Sequence, residues 1–392
     1  MTEFTTITTT EALAEFCTRA KTQAYVTIDT EFLRERTFYS KLCLIQMALP
    51  PASGAKAEGG AAVLLDPLAA DISLAPLYDL FAHPGTVKVF HAARQDLEIF
   101  FHDAGIFPAP LFDTQIAAMV CGFGEQVGYE TLVRKIARAN LDKSSRFTDW
   151  SQRPLSKAQQ EYAIADVTHL RAIYESLSAQ IAKSGRSAWV AEEIGVLTDP
   201  ETYITRPEDA WLRVRTRTSS ARFLAVVRKL AEFREAYAQS RNVPRSRVFK
   251  DDALVELAST RPQTEADLGR SRLLLREGRK PEIAQGILSA VKAGMEDPDP
   301  PRPPAAESNP PGNSALGELL RVLLKAKAEA AGVAPKLIAS TAELDAIAQG
   351  ARDLPALSGW RAEVFGTDAL RLADGQIALS AAGGAVRVVE LT

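Results

Sequence analysis

The chain is short of cysteine, of long apolar runs and of excess charge of one sign, and each shortage removes a class of protein. Its three cysteines, Cys17, Cys43 and Cys121, are odd in number, far apart and without a metal-like pair. That pattern suits reduced cytosolic thiols rather than a disulfide framework. No uninterrupted apolar stretch reaches membrane-spanning length, and residues 1–10 lack a basic segment followed by an apolar core. Neither a membrane partner nor a secretory leader is therefore expected, and the cytoplasm is the expected location. The formal net charge is −3, which argues against a protein that is basic throughout.

What the chain has is length enough for two or three domains, 392 residues, and a hydrophobic fraction of 46% that can furnish real cores. Its charge is unevenly spread. Residues 206–286 hold eighteen Lys and Arg against eleven Asp and Glu, a net +7, which leaves −10 for the remainder. A basic module joined to an acidic one fits nucleic-acid binding beside metal-dependent chemistry.

Taken in order, Leu13, Phe16 and Cys17 lie at helical spacing behind a threonine-rich start that can cap a helix over 10–21. Three strands follow, Tyr25–Phe32, Lys41–Ala48 and Ala62–Leu65, joined by connections too short for crossover helices and so antiparallel. From Leu74 the pattern alternates helix and strand: helices at 74–81, 94–102 and 114–121, and strands at 87–90 and 111–112. This predicts parallel strands covered by helices, hence a mixed sheet of five strands. A further helix spans 129–139, and a polar, basic and aromatic loop then leads to Ser156, which with Gln159 makes a capping-box start to a long helix reaching Ala182. A short connector precedes an all-helical block over 206–294. Residues 297–313 contain seven prolines and no large apolar side chain, the composition of a semi-extended linker. The last block, from residue 314, partly repeats the second: Ala334-Pro335-Lys336 ahead of Glu343-Leu344 resembles Val243-Pro244-Arg245 ahead of Ala253-Leu254. Asp374-Gly375 and Gly383-Gly384 among short β-rich runs predict a small hairpin at its end.

The first strand carries Asp29 and Glu31 two residues apart, on one face of the sheet. Like charges so placed need a solvated edge, a basic side chain or a divalent cation that takes oxygen ligands. Two more acids follow. Asp96 lies in the first turns of a helix, where the macrodipole alone would favour it, and Asp166 lies on the long helix four residues after Tyr162 and on the same face, which His169 shares.

The segments Ile28-Asp29-Thr30-Glu31-Phe32, Phe90-His91-Ala92-Ala93-Arg94-Gln95-Asp96-Leu97 and Tyr162-Ala163-Ile164-Ala165-Asp166-Val167 resemble, in order and separation, the three motifs of the DEDD exonucleases. Tyrosine four residues before the last aspartate is similar to their tyrosine subclass. The stretches Leu141-Asp142-Lys143-Ser144, Thr148-Asp149-Trp150 and Arg153-Pro154-Leu155 narrow the resemblance to the bacterial ribonuclease D family. It covers residues 20–180 most strongly and extends over Arg206–Gly294, which is similar to the helical HRDC domain that RecQ helicases share with that family. The resemblance implies an α/β ribonuclease H-like 3'-5' exonuclease domain over 1–182, an HRDC domain over 206–294, a Pro-rich linker over 295–313 and a second, divergent HRDC-like domain over 314–392.

By that resemblance the activity is metal-dependent 3'-to-5' exoribonuclease action, with two divalent ions, Mg²⁺ or Mn²⁺, releasing 5'-mononucleotides from RNA with a free 3' end, tRNA precursors and other small structured RNAs included. A monomer is expected. Asp29 would bridge both ions, Glu31 and Asp166 would serve the ion on the side of the attacking water, Asp96 would serve the second through water, and Tyr162 would orient that water and help deprotonate it. Four carboxylates suit hard cations better than zinc, for which Cys or His ligands are absent. Phe32 is a candidate to pack on the terminal base, Lys143 to meet phosphate and Trp150 to stack on a base. His91, His169, Asp66 and Asp113 read as structural or supporting. Arg213, Arg215, Arg217, Arg222, Arg241, Arg245 and Arg247 could form an RNA-contacting face or a solvated charged surface. Two rivals stay open: an enzyme of the same fold acting on DNA ends, and a catalytically silent RNA-binding adaptor, which the presence of all four acids and Tyr162 disfavours.

Overall fold

The computed structural model describes residues 3–51, 61–142, 145–146, 148–217, 220–301 and 314–391. Its main sheet has six strands: β1 (Phe4–Ile7), β2 (Tyr25–Leu33), β3 (Lys41–Ala48), β4 (Ala62–Leu65), β5 (Val87–Phe90) and β6 (Leu111–Asp113), in the spatial order β1-β4-β3-β2-β5-β6. β2, β3 and β4 pair antiparallel, while β5 and β6 extend the sheet in parallel from β2. The strand beyond the expected five is β1, which pairs parallel with β4 from Phe4↔Ala62 to Ile7↔Leu65. Only Ile7 of its four residues is buried, so it shows no alternation for a sequence pattern to register.

Alternation along the inner strands sorts their side chains to two faces. Val26, Ile28, Ile45, Met47 and Val63 form one core with α1 (Thr10–Ala20), α2 (Ala75–Phe81) and α3 (Arg94–Ala104). Thr9 caps α1 by accepting from the Ala12 N–H. After α4 (Thr114–Val120) and α5 (Tyr129–Leu132), which runs on into a π-turn over Val133–Ala137, the opposite face is closed by α6 (Lys157–Ser184). There Leu44, Ala48, Ala62 and Leu64 meet Ala163, Ile164 and Val167. The Ser156 hydroxyl accepts from Gln159 N and the Gln159 side chain accepts from Ser156 N, a reciprocal cap of the kind worth about 1 kcal/mol. Residues 183–205, expected as a plain connector, contain α7 (Ser187–Leu197), whose Trp189, Val190 and Ile194 join a core.

The second block comprises a 3₁₀ turn (Pro207–Arg213), α8 (Ala221–Ser240), α9 (Arg245–Val248), α10 (Asp251–Thr260), α11 (Glu265–Gly269) and α12 (Pro281–Glu296), around its own core of Leu230, Leu254, Leu257 and Ile287. A Cβ at Gly294 would lie 2.5 Å from Val226 Cα, so α12 can approach the α8 backbone only with glycine there. The block touches the unit built on the six-stranded sheet through the segment after β2. Asn242 Oδ1 accepts from the Phe38 and Tyr39 N–H groups at 3.0 Å each, and the Arg245 guanidinium lies 4.7 Å from the Phe38 ring centre.

The expected linker falls largely outside the described residues. Beyond it, α13 (Ser314–Ala331), α14 (Pro335–Ile338), α15 (Thr341–Ala348), α16 (Gly359–Arg361) and α17 (Thr367–Ala373) lead to the hairpin of β7 (Ile377–Ala382) and β8 (Ala385–Glu390). Gly383 and Gly384 turn it with φ of 61° and 82°, which two-residue hairpin loops of this kind require. Leu320, Leu323, Ile347 and Phe365 do not form a core of their own. They share one with Ala117, Val133, Ile173, Leu177 and Val190 of α4, the π-turn, α6 and α7.

Candidate active site

Strand β2 brings the first two carboxylates together. Oxygens of Asp29, Glu31 and, from α6, Asp166 lie within 4.8 Å of one another. Thr27, on the same face of β2, donates its hydroxyl to Val167 O at 2.8 Å and fixes α6 over the strand. The β2–β3 register shifts immediately after Glu31: Glu31 pairs with Leu44 but Phe32 with Leu42, so Cys43 is the extra residue of a bulge. Its carbonyl accepts from Arg153 Nη2 at 2.6 Å.

Asp96 stands apart from this trio. It lies in the first turn of α3, 6% exposed, and accepts a hydrogen bond from Thr30, which points to the face of β2 opposite Asp29 and Glu31. The turn that launches α3 contains Ala92 in the left-handed region, φ 55°, a conformation that costs energy for a residue with a Cβ. Asp113 holds that turn. Its carboxylate accepts from Ala92 N and Ala93 N and also from Gln115 N and Ile116 N, so one buried side chain caps α4 and braces the approach to Asp96. His91 pairs with Thr114 and packs against Tyr129.

Tyr162 lies one turn before Asp166 on the same face of α6, close enough for the Asp166 charge to act on its phenol. Behind the pair, the Tyr129 hydroxyl reaches the carbonyls of Ala165 at 3.2 Å and Asp166 at 2.5 Å.

So many acids in one place cannot all ionise cheaply. Burial pushes Asp29 up to about 7, against the pull of the Thr30 N–H. Burial and then the charges of Asp29, Asp166 and Asp96 push Glu31 up to about 10, with Arg146 opposing. Asp96 and Asp166 are raised well above the usual carboxylate range, by burial first and by Asp29 second. Burial and the surrounding carboxylates likewise raise the Tyr162 phenol. A compensating cation is what this arrangement needs, and a cluster offering only carboxylate oxygens fits a hard divalent ion. Asp29, Glu31 and Asp166 have the spacing to hold one; Asp96 lies outside that trio, with its charge acting on Glu31.

The remaining candidates separate. Phe32 is half-buried at the bulge, next to Glu31. Lys143 lies outside the described residues. Trp150, a candidate for base stacking, is 2% exposed and packs at 6.0 Å from the Tyr162 ring inside the α6 core, so no face of it is open to a base. Asp66, near the end of β4, pairs with Arg153. Several arginines of the second block are committed internally. Arg245 and Arg213 pair with the fully buried Glu235, Arg241 pairs with Glu282, and Arg222 donates to the carbonyls of Gly294, Met295 and Asp297. Arg215, Arg217 and Arg247 remain exposed. Arg146, by contrast, is exposed and close enough to act on Glu31, Tyr162 and Asp166. Its only signal in the sequence is its place in the basic loop ahead of Ser156.

Residues 4–182 match a family model for the 3'-5' exonuclease, and residues 223–291 match that of the HRDC domain. The chain is 60% identical to a ribonuclease D of Jannaschia sp. (strain CCS1), over 98% of this chain and 99% of that one. It is 46% identical to a ribonuclease D of Granulibacter bethesdensis, over 98% and 96%. Among solved structures it is similar to Escherichia coli RNase D, an exoribonuclease involved in structured RNA processing, with a TM-score of 0.79 and 29% identity over 95% of this chain and 99% of that one.

Proposed function

The chain belongs to the ribonuclease D family and is thereby a 3'-to-5' exoribonuclease; we propose that Asp29, Glu31, Asp96 and Asp166 hold two divalent ions, Mg²⁺ or Mn²⁺, and that Tyr162 orients the attacking water. The observation that carries this reading is the approach of the Asp29, Glu31 and Asp166 oxygens to within 4.8 Å, with Tyr162 one helical turn from Asp166 on the same face. When bound, such ions stabilise charge on the attacking and leaving oxygens and make water acidic enough to attack near neutral pH.

The protein's own part is placement. Asp29 and Glu31 project from a strand pinned at its centre, and Asp166 faces them from a helix tied to that strand through Thr27. Asp96 is held from the other side by Thr30. Tyr162, packed against Trp150 one turn from Asp166, holds the water in line with the last phosphodiester. Attack at phosphorus breaks the bond to the 3' oxygen, which takes up a proton. A 5'-mononucleotide leaves, and the shortened RNA keeps a free 3' hydroxyl for the next cycle. Arg146 is placed to meet the phosphate as it enters, where a guanidinium binds two oxygens at once.

For the substrate we read RNA with a free 3' end, tRNA precursors and other small structured RNAs, processed by a monomer in the cytoplasm. The net +7 of residues 206–286 supports RNA holding by the second block. No helix among the described residues is long and apolar enough to cross a membrane.

The test is mononucleotide release from 3'-extended tRNA, matched single-stranded DNA and 3'-blocked RNA in Mg²⁺ or Mn²⁺, with chelator controls. Release from open-ended RNA that stops with chelator or a blocked end is expected, and Asp29→Asn should abolish turnover while RNA binding persists. Unchanged turnover by Asp29→Asn would overturn the metal assignment, and preference for DNA would overturn the substrate.

A further inference from the structure

The long helix α6 carries Tyr162 and Asp166, and near them it is anchored through its backbone. Tyr129, on α5, places its hydroxyl against the carbonyls of Ala165 and Asp166. Thr27, on β2, places its hydroxyl 2.8 Å from the next carbonyl, that of Val167, and 3.1 Å from Ala48 O, with one proton to share between them. Successive carbonyls of a helix are about 100° apart around its axis and 1.5 Å apart along it. Two donors arriving from different elements at consecutive carbonyls therefore fix both the rotation and the axial position of that one turn. The Tyr129 ring is in turn braced by His91 at 5.4 Å between ring centres, and His91 pairs with Thr114. The chain of contacts runs from the end of β5, beside the turn that launches Asp96, to the backbone of Asp166.

We propose that Tyr129 is a positioning residue: its hydroxyl, working with Thr27, sets where the Asp166 carboxylate sits relative to Asp29 and Glu31, and so sets the affinity and alignment of the divalent-ion site. This rests on the reading that these carboxylates hold metal. The helix has a good cap and 28 residues, so losing one hydroxyl leaves it formed. What changes is the freedom of one turn to slide or roll, and displacements of this size at a metal ligand cost about 10- to 100-fold in affinity or rate.

The experiment uses the full chain and Mn²⁺ itself as probe, read by calorimetry or electron paramagnetic resonance without RNA, alongside steady-state kinetics on a 3'-extended RNA. Tyr129→Phe keeps the ring and removes the tether. The expected result is a half-saturating Mn²⁺ concentration raised about tenfold, kcat lowered by about the same factor at fixed Mn²⁺, and KM for RNA unchanged. Excess Mn²⁺ should restore most of the rate. Its melting temperature should stay within about 3 °C of the parent. The control is Tyr25→Phe, which removes another tyrosine hydroxyl bound to the same helix, at Glu175 Oε1, 2.6 Å, but nine residues beyond Asp166. It should leave both the Mn²⁺ midpoint and kcat unchanged.

A Tyr129→Phe protein with the parent's midpoint and rate overturns the proposal, as does an equal shift in Tyr25→Phe, which would make the effect one of general helix stability. Where Tyr129→Phe does not yield folded protein, Thr27→Val carries the same test with the same two outcomes. Asp166→Asn separates the premise from the inference. If it leaves Mn²⁺ binding intact, the metal reading falls and takes this one with it. If it removes binding while Tyr129→Phe does not shift it, only the positioning role falls.

Discussion

Replacing Arg153 by methionine should loosen the loop that frames the carboxylates, and its contacts set by how much. The guanidinium bonds both oxygens of Asp66 at 2.6 Å, Cys43 O at 2.6 Å and Trp150 O at 2.8 Å. It thus ties the end of β4, the bulge of β3 and the loop before α6 to one point. Methionine fills a similar volume but leaves the Asp66 carboxylate, 12% exposed, without its partner. Breaking a fully buried pair costs about 3–5 kcal/mol, and a hydrogen bond to a charged group is worth about 1.5–3 kcal/mol. With the arginine side chain 28% exposed, solvent takes back part of that, and a loss of about 2–3 kcal/mol is expected. Calorimetry should show a melting temperature about 5–10 °C lower for the catalytic unit. The effect should also depend on pH. Burial raises Asp66, but the Arg153 hydrogen bonds, the Leu68 N–H and the Arg153 charge outweigh it and hold the carboxyl below its usual range. A depressed folded pKa contributes stability that is complete above the unfolded value, about 3.9, and is lost as pH falls through the folded one. The gap between the parent and Asp66→Asn should therefore be full at neutral pH and narrow below about pH 4. An Arg153→Met protein that melts with the parent, or a gap that persists unchanged at pH 3, would refute the reasoning.

Arg146→Gln should raise KM for RNA several-fold with little change in kcat, and should lower the salt dependence of kcat/KM by about one unit of slope, since one phosphate contact is lost; an unchanged slope removes Arg146 from the RNA path. Added Mg²⁺ should raise the melting temperature of the parent, by a stabilisation of about 2.7 kcal/mol at a hundredfold excess over Kd, and should not do so for Asp29→Asn. Trp360→Ala should cost about 3–5 kcal/mol, because the indole is buried, stacks on Trp189 at 4.5 Å and donates to Glu193. Urea unfolding followed by calorimetry checks it, and a loss below 1 kcal/mol would mean that the third block is not docked this way in solution.

Most of the sheet was legible because its strands carry period-two or continuous apolar patterns, and connection length alone settled which pairs are antiparallel. β1 was not, since a four-residue edge strand with one buried side chain leaves no period to detect. In the candidate site, the i, i+2 rule puts Asp29 and Glu31 on one face and the i, i+4 rule puts Tyr162 beside Asp166, both local relations. Nothing local says that Asp96 would be met from the far face by Thr30, or that Asp113 would hold the turn before it, because those contacts join residues 66 and 21 positions apart. Trp150 shows the opposite failure. An aromatic in a basic loop reads equally as a stacking platform or as core, and only the packing of α6 decides for core.

The third block packs on the same helix that carries Asp166. At 28 residues α6 spans about 42 Å, enough to reach from the carboxylate cluster to the core shared with that block. Asp166 and Tyr162 lie toward one end, and Ile173, Leu177 and Ile181 are buried at the other with Leu320, Ile347 and Phe365. A helix is stiff over this distance, so movement of the docked block relative to the sheet would transmit to the Asp166 turn unless something holds that turn locally. Thr27 and Tyr129 are placed where such a restraint would act, between the carboxylate cluster and the shared core. The second block has a separate handle on the opposite wall. Asn242 caps the Phe38 and Tyr39 N–H groups, six and seven residues beyond Phe32, so the strand bearing Asp29 and Glu31 leaves the site directly into a contact with the basic block. The two halves of the carboxylate cluster are therefore each continuous with a different appended block, β2 with the second and α6 with the third, while Thr27 ties the two halves to each other.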